Sequence, residues 1–221
     1  MKLGIPVYEG VNLLDVAGPL EMFYWAGQNG NALKTVLVSS NGKPVTSING
    51  VTFTVGGSFA DEPALDILWV PGGKPEALED IMRDPDSPYL RYLRRIARHA
   101  TWVCSVCEGA LLLARAGLLD HHKATTHWAF VACLQKFPDV TVDTTHPRFL
   151  VSKRQTPGGE EKRLTGGGIS SGLDEALQLI SLLFDAESAE RVQVTTEYFP
   201  KPPVTGAIPK VPECDMNWGP R

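Results

Sequence analysis

The chain has 221 residues, of which 43% are hydrophobic and 21% are charged, and its net charge is −4 at pH 7. This composition is typical of a globular protein, and the length suffices for one large α/β domain with its own core. Nucleic-acid binding is disfavoured, because it would require a basic face that this slightly acidic chain does not offer.

The N-terminus and the cysteines bear on the compartment. The first residues enter a strand directly and lack the apolar core of a signal peptide. No apolar stretch reaches the roughly 18 residues that a membrane-spanning helix needs. The four cysteines, Cys104, Cys107, Cys133 and Cys214, are too few and too scattered to predict a disulfide framework. We therefore expect a cytoplasmic protein with reduced thiols and no membrane contact.

Strands and helices are predicted to alternate along the chain. In order, the predicted strands cover residues 3–8, 34–40, 51–55, 66–70 and 101–106, followed by a hairpin between 148–152 and 162–166. The predicted helices cover residues 12–27, 76–100 with a break at Asp84–Pro85, 108–118, 126–138 and 169–186. In the first helix Pro19 suits the first turn, and Leu20, Phe23 and Tyr24 fall on one face.

This order predicts an α/β fold. Because the strands are apolar nearly throughout, we expect a mainly parallel sheet with helices on both faces. One such domain spans residues 1–198, and the proline-rich residues 199–221 are predicted to form an extended arm packed on the same domain. Ligands of such sheets bind beyond the carboxyl ends of the strands, so residues directly after the strands are the candidates for a site.

Two cysteines follow each other at the end of one predicted strand, in the stretch TWVCSVCEGA. Residues three apart in a strand point to opposite faces, so a disulfide between Cys104 and Cys107 would distort the strand. A zinc site would need two more ligands, and the sequence has no second Cys-x-x-Cys motif. We therefore predict no metal at this position.

Cys107 alone suggests a nucleophile. On a tight strand-to-helix turn its side chain would project into solvent, where the N-terminus of the next helix lowers the thiol pKa and favours the thiolate. The spacing fits equally well a buried cysteine that simply ends a strand.

Four other candidates lie near strand ends. The backbone amides of Gly72 and Gly73 could hold developing negative charge, or the pair could form an ordinary turn. Asp15 could act as a general acid or base, or could cap the helix that follows. Gly168 lies in TGGGISSG, which lacks the Lys-Ser/Thr of a phosphate loop and fits a strand-to-helix turn at the edge of a binding site.

Two aromatic residues before a predicted helix are further candidates. His127 could activate a thiol as a base, or it could be a packed and hydrogen-bonded histidine. Trp128 could belong to the core or form the wall of a pocket.

Several motifs in order resemble one family. They are the D-x-x-G-P segment at residues 15–19, VPGG at 70–73, SVCEGALLLARAGLLDHHKATTHW at 105–128 and LTGGGISSGLDEAL at 164–177. The sequence resembles the ThiJ/PfpI superfamily of class I glutamine amidotransferase-like folds, with its closest likeness to the isonitrile (isocyanide) hydratase branch. The same domain also serves as the sensor half of some AraC-type regulators, but the residues after Leu183 are too few for their DNA-binding domain.

The resemblance implies a flavodoxin-like three-layer sandwich, usually a homodimer, that acts on a small molecule without a cofactor or metal. It implies Cys107 as the nucleophile, Asp15 as the acid, and the amides of Gly72 and Gly73 as donors to developing charge. In the hydratases the thiolate attacks the terminal isocyanide carbon to form a thioimidate, and water converts this adduct into an N-substituted formamide.

Glu108 departs from the pattern. The hydratases carry threonine directly after the cysteine, and PfpI-type peptidases carry histidine, so a local Cys–His dyad is lacking and a peptidase is disfavoured. An ionised Glu108 would oppose thiolate formation, whereas a protonated one could hydrogen-bond the substrate or the sulfur. The leading hypothesis is a hydro-lyase of the isonitrile hydratase type. The alternatives are a glyoxalase or deglycase acting on α-oxoaldehydes, and a redox, stress-response or ligand-sensing protein without catalysis.

Overall fold

A central sheet of seven strands organises the protein. The structure is a computed structural model and describes residues 1–61 and 64–219. Its strands are β1 (Lys2–Pro6), β2 (Lys34–Ser39), β3 (Val45–Thr46), β4 (Thr52–Phe53), β5 (Gly57–Ser58), β6 (Ile67–Val70), β7 (Trp102–Ser105), β8 (Lys123–Ala124), β9 (Thr141–Val142), β10 (Phe149–Thr156) and β11 (Gly159–Gly166). Its helices are α1 (Leu13–Gln28), α2 (Pro75–Arg83), α3 (Pro88–Ala97), α4 (Gly109–Arg115), α5 (Val131–Leu134), α6 (Ser171–Leu183) and α7 (Ala186–Thr195). None of these described helices is both long and apolar enough to cross a membrane.

The strand order of the sheet is β10-β11-β7-β6-β1-β2-β5. All neighbouring strands are parallel except β10 and β11, which form the predicted hairpin. β6 and β7 are buried along their whole length, which explains why their sequences are continuously apolar. Helices α1, α6 and α7 pack together, and α2, α3, α4 and α5 form a second group. The prediction of a mainly parallel α/β sandwich is confirmed.

A proline in the interior of α1 frees a backbone acceptor at one edge of the sheet. Pro19 does not lie in the first turn, so this part of the prediction is wrong. Since proline has no N–H, the carbonyl oxygen of Asp15, four residues earlier, lacks its helical donor. The indole N–H of Trp69 in β6 donates to that oxygen over 3.3 Å. This bond ties the first turn of α1 to the central sheet.

Three predicted details differ from the structure. Tyr24 is 53% exposed and does not share the buried face of Phe23. Only Thr52–Phe53 of the predicted strand 51–55 is extended, and it pairs with β3 in a small separate sheet. The predicted helix 126–138 is reduced to a 3-10 turn at Trp128–Phe130 followed by α5. In these segments tertiary packing outweighs the local apolar pattern.

The C-terminal tail after α7 contains no regular secondary structure among its described residues. A disulfide joins Cys214 in the tail to Cys133 in α5, 81 residues earlier. The prediction of reduced thiols is therefore wrong for these two cysteines, because the sequence gives no sign that the tail returns to α5. Beyond the bridge Met216 and Trp218 are buried, and the Trp218 ring stacks on Phe137 at 5.6 Å between centroids. The last two residues of the predicted extension lie outside the described residues.

Candidate active site

Cys107 lies on the turn between β7 and α4. Its φ is +57°, in the left-handed region that costs a non-glycine residue about 1–2 kcal/mol. Two hydrogen bonds of 2.8 Å hold this conformation, from the Cys107 N–H to the Gly167 carbonyl and from the Thr126 hydroxyl to the Cys107 carbonyl. At Gly109 a Cβ would lie 2.1 Å from the Val70 carbonyl oxygen, so only glycine lets α4 begin this close to β6. The turn thus has the strained geometry of a nucleophile elbow.

The thiol of Cys107 is buried, in contrast to the sequence expectation. The residue is 0% exposed, and burial raises its pKa, as do the charges of Asp15 and Glu108. The backbone N–H of Ile169 donates to the sulfur and acts in the opposite direction. Helix α4 has only seven residues, and its terminus does not offset the burial. The expectation of a lowered thiol pKa is therefore wrong, and the resting group is the thiol.

Two buried carboxyl groups flank this thiol. The Cys107 sulfur, a carboxyl oxygen of Asp15 and a carboxyl oxygen of Glu108 all lie within 4.8 Å of one another. The amide nitrogen of Asn12 connects all three, at 3.1 Å from Glu108 Oε2, 3.4 Å from Asp15 Oδ2 and 3.8 Å from Cys107 Sγ. The structure therefore brings together the three residues that the sequence proposed as catalytic, and adds Asn12.

The proximity of the two acids changes their protonation. Burial and the charge of Glu108 raise the pKa of Asp15 from 3.8 to about 8. Burial also raises the pKa of Glu108, although hydrogen bonds from the Cys107 thiol, the Gly73 backbone N–H and the Asn12 amide lower it. The raised pKa favours the protonated form of Asp15 at neutral pH, and the Glu108 carboxyl group accepts a hydrogen bond from the Cys107 thiol.

The backbone amides of Gly72 and Gly73 donate hydrogen bonds to the two carboxyl groups. The Gly72 N–H donates to Asp15 Oδ2 over 2.9 Å, and the Gly73 N–H donates to the Glu108 carboxylate. A Cβ at Gly72 would lie 2.2 Å from Glu108 Oε2, so glycine is needed for this approach. The two amides are close to Cys107, as the sequence suggested, but both are occupied by side chains instead of standing open to a substrate.

His127, Trp128 and Gly168 line a cavity of about 340 Å³ beside the loop that carries Ile169. His127 Nδ1 accepts the backbone N–H of Ala129 over 3.3 Å, and partial burial lowers the pKa of the ring. Among the described residues no hydrogen bond joins His127 to the thiol, so the structure favours the packed histidine over the base. Gly168 allows the ring to approach, because a Cβ there would lie 2.4 Å from His127 Cδ2.

Sequence reasoning missed three residues of the site. Asn12 caps α1 in position but makes no side-chain cap bond, and its amide turns to the acids instead. Ile169 has a φ of +26°, which is unfavourable for a β-branched residue. In this conformation its backbone N–H donates a hydrogen bond to the Cys107 sulfur. Glu175 of α6 is fully buried with no hydrogen-bond partner on either carboxyl oxygen within the described chain, and burial raises its pKa well above the usual range.

Asp15, Cys107 and Glu108 are also the one group of three potential metal ligands found in the described residues. A thiolate and two carboxylates could bind Zn²⁺. However, amide N–H groups of Asn12, Gly72 and Gly73 already point at these atoms. Such donors stabilise carboxylates and developing negative charge, and they occupy directions from which a cation would approach.

The fold and this site define an α/β sandwich protein with a cysteine on a strand-to-helix turn, faced by an acid from the first helix. Residues 1–153 match the DJ-1/PfpI family, and the chain belongs to that family. The resemblance inferred from the sequence motifs is thereby confirmed.

Individual relatives have different functions. The chain is 32% identical to an isonitrile hydratase of Pseudomonas putida over 209 residues, covering 95% of this chain and 83% of the hydratase. It is 28% identical to the HTH-type transcriptional regulator GbdR of Pseudomonas aeruginosa over 182 residues, covering 81% of this chain and 46% of the regulator. A crystal structure of a ThiJ/PfpI family protein from Pseudomonas syringae has a TM-score of 0.77 at 30% identity, covering 92% of this chain and 77% of that one.

Proposed function

We propose that the protein is a cysteine-dependent hydratase that converts an isonitrile into an N-substituted formamide. The identity with an isonitrile hydratase over 95% of the chain supports the substrate class. The observation that carries the chemistry is the placement of a buried thiol beside two buried carboxyl groups, with sulfur and carboxylate oxygens within 4.8 Å of one another and with the pKa of Asp15 raised to about 8. In the proposed mechanism Asp15 starts as the acid and Glu108 starts as the carboxylate.

The first step forms a covalent adduct. As the sulfur attacks the terminal carbon, the thiol proton passes to the Glu108 carboxylate, since a neutral thiol is a poor nucleophile. The electron pair released on that carbon takes the proton of Asp15, which leaves a thioimidate on Cys107. Asp15 is now a carboxylate and Glu108 a carboxylic acid.

The second step adds water. The Asp15 carboxylate removes a proton from a water molecule, and the water oxygen attacks the thioimidate carbon. At the same time Glu108 protonates the thioimidate nitrogen. The carbon–sulfur bond then breaks as the hydroxyl becomes the formyl carbonyl, and its proton returns to the sulfur through Glu108. The products are the formamide and the starting states of Cys107, Asp15 and Glu108, so the cycle closes without a cofactor.

The 340 Å³ cavity lined by Trp128 and Gly168 is the proposed pocket for the N-substituent. It lies against the loop of Gly167 and Ile169. In this loop the Gly167 carbonyl accepts a hydrogen bond from the Cys107 N–H, and the Ile169 N–H donates one to the Cys107 sulfur. Its size is within the range of small-molecule sites, about 300–1,000 Å³. Substrate entry requires this loop to give access to the buried sulfur.

A substrate panel tests the proposal. Purified protein and its Cys107→Ala variant are incubated with an aryl isonitrile, methylglyoxal and a peptide amide, and products are followed by chromatography. Formamide production by the wild type alone is the expected result. If methylglyoxal is turned over and the isonitrile is not, the protein is a glyoxalase instead of a hydratase. Cleavage of the peptide amide would contradict the inference that Glu108, in place of histidine, disfavours a peptidase.

Ligand sensing without catalysis is a second candidate. The 28% identity with a transcriptional regulator over 81% of this chain favours it. Binding of an isonitrile or formamide to wild-type protein without product formation would select this function.

The homodimer, the cytoplasmic location and the single domain with a packed C-terminal extension remain predictions. Sedimentation equilibrium of the purified protein tests the dimer, and fractionation of cells tests the location.

A further inference from the structure

The tail segment of residues 200–213 crosses the surface of the described part of the protein. In the part of the chain that the structure describes, no hydrogen bond joins these residues to the rest of the protein. All of them are exposed except Val211, which is half-buried. We call this segment the strap. Its course must therefore be set by its two ends and by the few side chains that contact the body.

Both ends of the strap are fixed. At the start, the Tyr198 N–H donates to the Gln193 carbonyl and continues the end of α7. At the far end, Cys214 is bonded to Cys133, and the Lys136 ammonium donates to the Cys214 carbonyl over 3.2 Å. Buried Trp218 lies just beyond the bridge. The disulfide is thus the covalent end of a segment that has no other strong attachment along its length.

One strap residue reaches the proposed substrate pocket. Ile208 lines the 340 Å³ cavity together with Trp128 and Ile169, although the residue is 51% exposed. The cavity lies next to the loop of Gly167 and Ile169, so an apolar side chain that lines it affects the size of the group that can bind there. Val204, also apolar and on the same strap, lines none of the described cavities and is 74% exposed.

We infer that the strap is a wall of the substrate pocket, and that Ile208, held in place by the Cys133–Cys214 bridge, sets the largest N-substituent that the enzyme accepts. The inference rests on the proposed function for the identity of the substrate. It explains why a segment without its own bonds is fastened at both ends. Ile208 is a specificity-determining residue in this account and takes no part in the chemistry.

The test compares three variants with the wild type. Ile208→Ala removes the wall, Cys133→Ser/Cys214→Ser frees the strap, and Val204→Ala is the matched control. The first readout is the ratio of kcat/KM for a naphthyl isonitrile to kcat/KM for ethyl isonitrile. Removing a few apolar carbons from a pocket changes discrimination by about tenfold or more, so we expect the ratio to rise about tenfold in the first two variants and to stay within about twofold in the control.

The second readout does not depend on turnover. The rates at which a pyrene maleimide and iodoacetamide alkylate Cys107 are measured by peptide mass spectrometry, with Cys107→Ala as the blank. We expect the ratio of the large to the small reagent to rise in Ile208→Ala and in the double serine variant. Circular dichroism checks that the double variant folds. If it does not, Ile208→Ala decides the test, because its exposed side chain can be shortened without disturbing the core.

The outcomes separate the two proposals. Absence of isonitrile turnover in the wild type would overturn the proposed function, and the alkylation ratio would then decide the strap alone. If neither ratio changes in Ile208→Ala, the strap is not a wall of the pocket. If Val204→Ala shifts the ratios as much as Ile208→Ala does, Ile208 is not the residue that determines the size of the accepted N-substituent.

Discussion

Catalysis is expected to fall as the pH rises through about 8, because Asp15 must hold a proton to deliver it to the substrate carbon. Burial and the Glu108 charge raise the Asp15 pKa from 3.8 to about 8. With that pKa the acid form decreases from roughly 90% at pH 7 to roughly 10% at pH 9. The value of kcat/KM should therefore fall about tenfold over this interval, equivalent to about 1.4 kcal/mol.

The assay is the initial rate of formamide formation between pH 6 and 10, with circular dichroism at each pH as the control for folding. Asp15→Asn is the matched variant, because its amide oxygen can still accept the Gly72 N–H but the side chain has no proton to exchange. It should be slower by about 10²-fold or more, as expected for loss of a general acid, and should show no fall near pH 8. A wild-type rate that is flat or rising from pH 7 to 9 would show that Asp15 is not the proton donor, as would a fall near pH 8 that persists in Asp15→Asn.

Three further predictions concern the supports of the site. Glu108→Gln should lower kcat/KM by about 10²-fold and should also slow the alkylation of Cys107 at pH 7, since a glutamine cannot accept the thiol proton; alkylation at the wild-type rate would contradict the role of Glu108 as proton acceptor. Gly109→Ala should destabilise the protein by about 2 kcal/mol in urea unfolding, because its Cβ meets a backbone carbonyl at 2.1 Å, whereas Gly206→Ala, with nothing within 4 Å, should be neutral. Equal stabilities of these two variants would show that α4 can move away from β6. Because the raised pKa of Glu175 favours the protonated folded state, its contribution to stability is present below the unfolded pKa of about 4.3 and is lost as the pH rises above it. Glu175→Gln should therefore gain stability relative to the wild type between pH 5 and 8, and a constant difference across that range would mean that Glu175 is not buried as a neutral acid.

Much of the fold could be predicted, because the pattern that specifies it is local. The continuous apolar runs of β6 and β7 belong to strands covered on both faces, and the break at Asp84–Pro85 separates α2 from α3. The position of Cys107 on a turn also followed from its place at the end of an apolar run before a glycine. The need for Gly109 itself became clear only from the Val70 carbonyl that it faces.

The environment of the thiol could not be predicted, because it depends on how separate segments meet. Asn12 looks like an ordinary helix cap in the sequence, and only the packing of α1 against the turn directs its amide to Glu108. The sequence suggested an exposed thiolate, whereas the meeting of two carboxyl groups and a buried sulfur yields a protonated thiol. The long-range disulfide between Cys133 and Cys214 was missed for the same reason.

The role of Cys107 is tested most directly by comparing Cys107→Ala with Cys104→Ala. Both cysteines are fully buried free thiols of the same segment, but only Cys107 lies between the carboxyl groups. The measurement is kcat/KM for conversion of an aryl isonitrile into its formamide by the two variants and the wild type. We expect a loss of about 10³-fold or more in Cys107→Ala and a rate near that of the wild type in Cys104→Ala. A wild-type rate in Cys107→Ala would exclude Cys107 as the nucleophile.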